Sequence, residues 1–117
     1  MKNYDNLSTY EKEEYIAIQT LKYLQKVQQP VTRVQITDYL IKINAIPNDV
    51  LTPVKSKNGS EYVPFTQRLS FGLSSLYKSN LINHPEYGIT KITDFGKSVN
   101  PDDTDYLHDL FVEGWKK

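Results

Sequence analysis

The chain has 117 residues, enough for one domain with a modest hydrophobic core. Its 38% hydrophobic and 24% charged residues are typical of a globular protein, and no apolar run is long enough to cross a bilayer. The polar, acidic N-terminus is not a signal peptide, and zero cysteines exclude disulfides and thiolate metal sites, so the sequence favours a cytoplasmic protein.

The net charge is zero, but the charges are distributed unevenly along the chain. Residues 1–53 carry six basic and six acidic side chains, residues 54–99 six basic and three acidic, and residues 100–117 two basic and five acidic. The central segment is therefore basic and the C-terminal segment acidic. Because local charge governs attraction to phosphates, the central segment is compatible with nucleic-acid binding; a solvated surface is the alternative.

The first two predicted helices each begin with a capping box. Ser8 and Glu11 mark the start of the first helix, which ends before Pro30. Thr32 and Gln35 mark the start of the second, and a one- or two-residue strand fits between them at position 31. The apolar stripes repeat with a helical period: Ile16, Ala17, Thr20, Leu21, Tyr23, Leu24 and Val27, then Ile36, Tyr39, Leu40 and Ile43.

The stretch from residue 44 to 62 has no clear period and contains prolines and an Asn-Gly turn signal. It predicts a long loop, in which Val50, Leu51 and Val54 form a single helical turn over the core.

A third helix begins near Pro64, ends at Asn80, and is followed directly by a hairpin. The hairpin's first strand begins with Leu81 and Ile82, residues 84–88 form its turn, and residues 89–93 form its return strand. A helix followed at once by a small hairpin is typical of a winged-helix domain, which docks most often on nucleic acid.

The remaining elements complete an α+β, mostly helical domain. Thr93 caps a short turn over residues 94–97, and residues 102–113 predict a last helix with an acidic start and an apolar edge of Leu107, Leu110 and Phe111. We interpret residues 1–117 as a single winged-helix domain. Its helix-turn-helix core and hairpin wing cover about residues 9–99, and an acidic C-terminal helix covers about residues 101–114.

The third helix has an apolar and a polar face. The apolar face consists of Phe65, Leu69, Gly72, Leu73 and Leu76. The polar face consists of Gln67, Ser70, Phe71, Ser74 and Lys78, with Arg68 and Ser75 on its flank. Since glycine costs about 1 kcal/mol of helix propensity, we expect Gly72 to mark a close approach between helices.

The candidate DNA contacts are polar and basic side chains of the third helix, the preceding loop and the wing. On the third helix they are Gln67, Arg68, Ser70, Ser74 and Lys78. In the loop and wing they are Lys55, Lys57, His84 and Lys91. In winged-helix binding the helix enters the major groove, where glutamine, serine and arginine can read base edges, while the lysines and the wing contact phosphates.

Several candidates also have a purely structural interpretation. The uncharged polar residues of the third helix can form a plain solvated face, and His84 can be a solvated turn residue. Arg68 can pair with an acidic residue or a carbonyl inside the domain. Phe71 can contact a thymine methyl group, or be covered by the first helix or the N-terminal tail.

The sequence offers no catalytic or metal-binding pattern. Two separate histidines without cysteines or clustered carboxylates do not predict a metal site. The aspartates near the C-terminus are explained by a helix start, and no nucleophile triad or phosphate-binding loop is present. We therefore expect no enzymatic activity and no cofactor in this chain.

From the third helix onward the sequence resembles the N-terminal winged-helix domain of Mrr-type restriction proteins. The shared pattern is an arginine, an aromatic, a small residue, a leucine, a leucine–apolar pair and a closing Ile-Thr-x-x-Gly. Here these are Arg68, Phe71, Gly72, Leu76, Leu81-Ile82, Ile92-Thr93 and Gly96. A Thr-Arg-x-x-Ile helix start at Thr32 agrees, so the resemblance covers roughly residues 12–99. The family often has tryptophan in place of Phe71 and glycine in place of Asn80.

The resemblance implies binding of double-stranded DNA by a module that delivers a nuclease to its target. In longer relatives the nuclease domain would follow on the C-terminal side. Two alternatives stay open: a homodimeric winged-helix transcriptional regulator, in which the first and last helices pair across a two-fold axis, and a winged helix used only for protein–protein contact, which the neutral net charge allows.

Overall fold

The computed structural model describes residues 3–116, which form an α+β, mostly helical arrangement. Its helices are α1 (Thr9–Val27), α2 (Arg33–Lys42), α3 (Pro64–Lys78), α4 (Asp94–Ser98) and α5 (Thr104–Lys116). Its strands are β1 (Val31–Thr32), β2 (Val54–Lys55), β3 (Glu61–Tyr62), β4 (Ile82–Asn83) and β5 (Ile89–Ile92). A single 3-10 turn, Tyr4–Asn6, precedes α1.

The predicted helix boundaries at α1, α2 and α3 are confirmed by their caps. Ser8 with Glu11 and Thr32 with Gln35 form the two reciprocal capping boxes. α3 begins with Pro64, whose missing N–H is not needed in the first turn. It ends just before a residue in the left-handed region, Asn80 at φ 63°.

The predicted wing is also confirmed as a hairpin. Strands β4 and β5 pair antiparallel, and β1 adds to the other edge of β5, which gives the order β1-β5-β4. Val31, Thr90, Ile82 and Ile92 share the face that is buried against the helices. The helix-plus-hairpin arrangement is compatible with the winged helix expected from the sequence.

The stretch before α3 differs from the prediction of a long loop. It contains a second hairpin, in which β2 pairs antiparallel with β3. Val50 packs against the core as expected, but no helical turn forms there, and Leu51 and Val54 are exposed. The Asn-Gly pair forms the turn of this hairpin, where the Gly59 amide donates to the Ser56 carbonyl at 3.0 Å.

Two smaller expectations also need correction. Ile36 and Leu40 are buried, but Ile43 lies just after α2 and is exposed. The last helix begins at Thr104, later than expected, and extends to Lys116. The side chain of Asp103 accepts the Tyr106 amide at 3.2 Å and so caps it. Thr93 caps α4 as predicted, accepting the Gly96 amide at 2.9 Å.

The core lies where α1 packs against α2 and α3. All five predicted apolar residues of α3 are buried. A Cβ atom on Gly72 would lie 3.1 Å from the carbonyl oxygen of Glu13, so the expected close approach of two helices is confirmed. On another side of α3, α5 packs closely, and the Ser79 hydroxyl donates to the Leu110 carbonyl at 3.1 Å. Thus α3 is held between α1 and α5.

Candidate nucleic-acid interface

A groove of about 840 Å³ runs between α3 and the turn of the β4–β5 hairpin. One side is formed by α3 residues at helical spacing, and the other by the turn that follows β4. We call it the wing groove and define it by Arg33, Ser70, Ser74, Tyr77, Lys78 and His84. Four of the residues predicted from the sequence therefore meet here: Ser70, Ser74, Lys78 and His84.

Arg33, the first residue of α2, connects that helix to the exposed side of α3. Its Nη2 donates to the Ser70 hydroxyl at 2.6 Å and to the Thr66 carbonyl at 3.2 Å. These bonds hold the guanidinium and the Ser70 hydroxyl together at the groove. A planar guanidinium presents five donors in a fixed fork, a geometry suited to phosphates and to guanine edges.

His84 connects the wing to α3. Its ring stacks on Tyr77, with the centroids 5.3 Å apart and the planes at 21°. Its Nδ1 lies 3.0 Å from the Ile89 carbonyl oxygen. Because a carbonyl can only accept, Nδ1 carries the hydrogen, which fixes the tautomer of the neutral ring. His84 therefore braces the hairpin turn against the helix.

Lys78 lies at the C-terminal end of α3, between the wing groove and α5. Its Nζ is 4.9 Å from the centroid of the Trp115 ring, within the range of a cation–π contact. The residue is partly buried and still lines the groove.

Arg68 points toward α1. Its Nη1 donates to the Glu13 carboxylate at 2.5 Å, and the two side chains are only 18% and 14% exposed. Its Nη2 donates to the amide oxygen of the exposed Gln67 at 3.3 Å. Burial raises the pKa of Tyr4 to about 12, and the positive charge of the Arg68 guanidinium partly offsets this increase. Of the two roles considered for Arg68, the structure shows the ion pair inside the domain.

The remaining predicted lysines lie at separate places. Lys91 is exposed on the outer face of the sheet, opposite Asn83, and points away from the core. Lys55 stands directly opposite Glu61 in the β2–β3 hairpin, and residues opposite each other on a pair of strands share one face. Lys57 is exposed in the turn of that hairpin.

The family model of the Mrr N-terminal domain matches residues 6–101, which is most of the chain. The chain belongs to the Mrr N-terminal domain family. Neither the curated proteins nor the solved structures gave a significant match. The resemblance inferred from the sequence is confirmed, and the family associates the chain with Mrr-type restriction proteins.

Three residues of this Mrr N-terminal domain were missed as site candidates. Tyr77 follows Ser70 and Ser74 on one side of α3, so helical spacing could have found it. Tyr87 at the tip of the wing is fully exposed, and the Tyr-Gly turn signalled its place. Arg33 carries no comparable signal, because only the tertiary fold brings the first residue of α2 beside Thr66 and Ser70 of α3.

Phe71 and Ser75 lie on the side of α3 that faces α5. Phe71 is partly covered, but its main aromatic neighbour is Trp115 of α5, with ring centroids 6.2 Å apart. Ser75 was expected on the flank of the polar face and is instead buried, where it accepts the indole N–H of Trp115 at 2.9 Å. Covering by the last helix was not among the expectations for Phe71.

Within residues 3–116, no three histidine or acidic side chains come close enough together to hold a metal ion. The helices of the same region include none with the length and apolar character needed to cross a membrane.

Proposed function

We propose that this member of the Mrr N-terminal domain family is a winged-helix module that binds double-stranded DNA. It would serve as the target-recognition part of an Mrr-like restriction system. The observation that carries the proposal is the wing groove, in which the side of α3 bearing Ser70 and Ser74 faces a hairpin across a space bordered by Arg33, Lys78 and His84. Family membership supports the link to restriction.

In this proposal α3 enters the major groove of DNA. Ser70 and Ser74 reach base edges, where a hydroxyl can donate or accept, and Gln67 extends the same surface by one turn. Arg33 supplies the guanidinium for guanine or phosphate, because Arg68 is engaged with Glu13. Arg68 then acts indirectly, by holding α3 in place against α1.

The wing and the loop supply contacts to the phosphate backbone. Lys91 lies on the outer face of the sheet and Lys78 at the end of α3, so the two lysines reach different parts of the DNA backbone. His84 contributes by holding the hairpin turn against Tyr77 of α3. Lys55 and Lys57 extend the basic surface through the second hairpin, with Glu61 reducing the effect of Lys55.

A homodimeric regulator would pair α1 and α5 of two copies. Where the two helices meet within one chain, the acidic residues Glu14, Asp105 and Asp109 lie around His108, and Glu14 is bonded to it. A two-fold interface would bring these like charges together, and opposed like charges disfavour association. We therefore favour a domain that binds DNA without such pairing.

The proposal predicts binding to duplex DNA that weakens steeply with salt, because binding releases condensed counterions. Lys91→Ala should weaken binding to all sequences and reduce the slope of log affinity against log salt by about 1. Lys91 is preferred to Lys78 for this test because Lys78 also contacts Trp115. The measurement is a gel-shift or anisotropy titration of labelled duplex at several salt concentrations.

Lys42→Ala is the matched control. Lys42 is equally exposed, but it ends α2, nine residues and about 13 Å along the helix from Arg33. If Lys91→Ala and Lys42→Ala have the same affinity and slope, the proposed contact surface is wrong. Absence of duplex retention by the unmodified chain at low salt would refute DNA binding altogether.

A further inference from the structure

A second groove, of about 780 Å³, lies on another side of α3, between the start of α1 and the end of α5. We call it the α1–α5 groove and define it by Tyr10, Glu14, Phe71, His108, Val112 and Trp115. It is the larger apolar surface of the two: Tyr10 is 84% exposed, Phe71 44%, Val112 40% and Trp115 45%. Such an exposed apolar cluster rimmed by polar residues is typical of an interaction site.

The floor of this groove is held in place by specific contacts. The Trp115 indole donates to the Ser75 hydroxyl at 2.9 Å, and its ring lies against Phe71. Lys78 lies over the Trp115 ring, and the Arg68 guanidinium is 5.7 Å from the Phe71 ring centroid. The aromatic side chains are therefore already ordered, which lowers the entropic cost of binding a partner.

The rim of the groove is acidic along α1. Glu11, Glu13 and Glu14 line it from α1, and Arg68 is engaged with Glu13. On α5, His108 contacts Glu14 with Nδ1 and Oε1 2.7 Å apart. The hydrogen bond to Glu14, followed by the negative charges of Glu14, Asp109 and Asp105, raises the pKa of His108. The acidic residues of α1 thus border the apolar floor, and Asp105 and Asp109 of α5 add negative charge near His108.

We propose that the α1–α5 groove binds a cationic amphipathic helix of a partner protein. An apolar groove of this kind takes the apolar face of a helix, with anchors at successive turns. The acidic rim then selects lysine and arginine on the flanks of that helix and steers its approach. The same rim repels duplex DNA and a second copy of this chain.

This interaction is separate from the proposed DNA contact. The wing groove uses Ser70, Ser74 and Tyr77 of α3, whereas the α1–α5 groove uses Arg68, Phe71 and Ser75. At 100° per residue these two sets face well apart around the helix axis. A partner seated at α1 and α5 would leave the wing groove open, so a DNA-bound domain could still recruit it.

Trp115 gives a direct measurement, because it is the chain's only tryptophan and lies in the groove. The full chain is titrated with a synthetic peptide that is helical, free of aromatic residues, apolar on one face and lysine-rich on the other. We expect saturable quenching or a blue shift of the Trp115 emission. A peptide with the same apolar face and glutamate in place of lysine should bind about tenfold more weakly or worse, a difference of about 1.4 kcal/mol.

Val112→Lys should also weaken binding of the lysine peptide about tenfold, since it replaces an apolar contact by a like charge. Val34→Lys is the matched control, an exposed valine on the surface of α2, and should bind as the unmodified chain does. Equal binding of the two peptides, equal effects of the two variants, or no response of Trp115 to either peptide would overturn the proposal. So would concentration-dependent self-association in sedimentation that Val112→Lys abolishes, because the occupant would then be a second copy.

Discussion

At the scale of single residues, Arg68 shows how a plausible DNA contact becomes a structural residue. Its place on the flank of α3 was correctly read from helical period, and both an internal ion pair and a base contact fitted that place. The deciding factor is Glu13, which lies 55 residues earlier in the sequence but directly across the α1–α3 contact. Periodicity gives the direction of a side chain along its own helix, but not the residue that meets it.

Arg68→Ala should lower the free energy of unfolding by about 2 kcal/mol, because it leaves the largely covered Glu13 carboxylate without its cation. Urea denaturation followed by circular dichroism measures the change. Lys97→Ala is the control: its ion pair with Asp94 is exposed and 4.0 Å long, so its effect should stay within about 0.5 kcal/mol. Equal effects of the two variants would show that the Arg68–Glu13 pair contributes no more than a surface pair.

At the scale of elements, the sequence predicted those whose signals are local. Each capping box, at Ser8 and at Thr32, is a motif of four neighbouring residues that marks the start of a helix. Pro64 and Asn80 likewise mark the two ends of α3. The β2–β3 hairpin was missed because each strand has only two residues, too few to show an alternating pattern. The two strands pair across a turn, and the Asn-Gly signal predicts that turn but not the pairing of the residues on either side of it.

α4 offers a test of element packing. A Cβ atom on Gly96 would lie 2.2 Å from the Leu81 carbonyl oxygen, so α4 can sit against the start of the wing only with glycine there. The side-chain amide of Gln25 in α1 donates to the backbone carbonyls of Gly96 and Val99, each at 2.9 Å. The turn therefore joins the wing to the first helix.

Gly96→Ala should destabilise the domain by about 3 kcal/mol, since the added methyl group meets backbone that cannot simply rotate away. Thermal and urea unfolding measure the loss of stability. Duplex DNA binding, measured at a temperature where the variant is still folded, shows whether the wing keeps its position. The neighbouring Lys97→Ala serves again as the control for a change in the same short helix. A Gly96→Ala domain as stable as Lys97→Ala would mean that α4 does not pack closely on Leu81.

At the scale of the whole molecule, α3 separates two surfaces of different chemistry. Its wing side carries the hydroxyls of Ser70 and Ser74 and is bordered by Arg33, Lys78 and Glu86. Its α5 side is apolar, with an acidic rim along α1. The sequence showed that charge is divided between a basic centre and an acidic end. It did not show that α5 covers part of the polar face of α3, because that depends on where the last helix packs after the chain has passed through the wing.

This separation predicts that the two surfaces can be disabled independently. Ser74→Glu places a carboxylate in the wing groove. Because this carboxylate repels the DNA phosphates, duplex DNA binding should weaken about tenfold or more. The same variant should bind the lysine-rich peptide normally, because Ser74 lies outside the α1–α5 groove. Val112→Lys should show the reverse, with peptide binding weakened about tenfold and DNA binding kept.

The two titrations are measured separately, since a cationic peptide binds DNA itself, and each variant's unfolding midpoint is measured first. The double variant Ser74→Glu/Val112→Lys should then lose both activities by about the sum of the single effects, since Ser74 and Val112 line different grooves. Lys78 lines the wing groove and also contacts Trp115, so it is the residue through which the two sites would couple. Loss of both activities in either single variant, with folding intact, would mean that the sites are coupled through α3. In that case α3 would transmit binding at one surface to the other, and the division of the domain into two independent surfaces would be wrong.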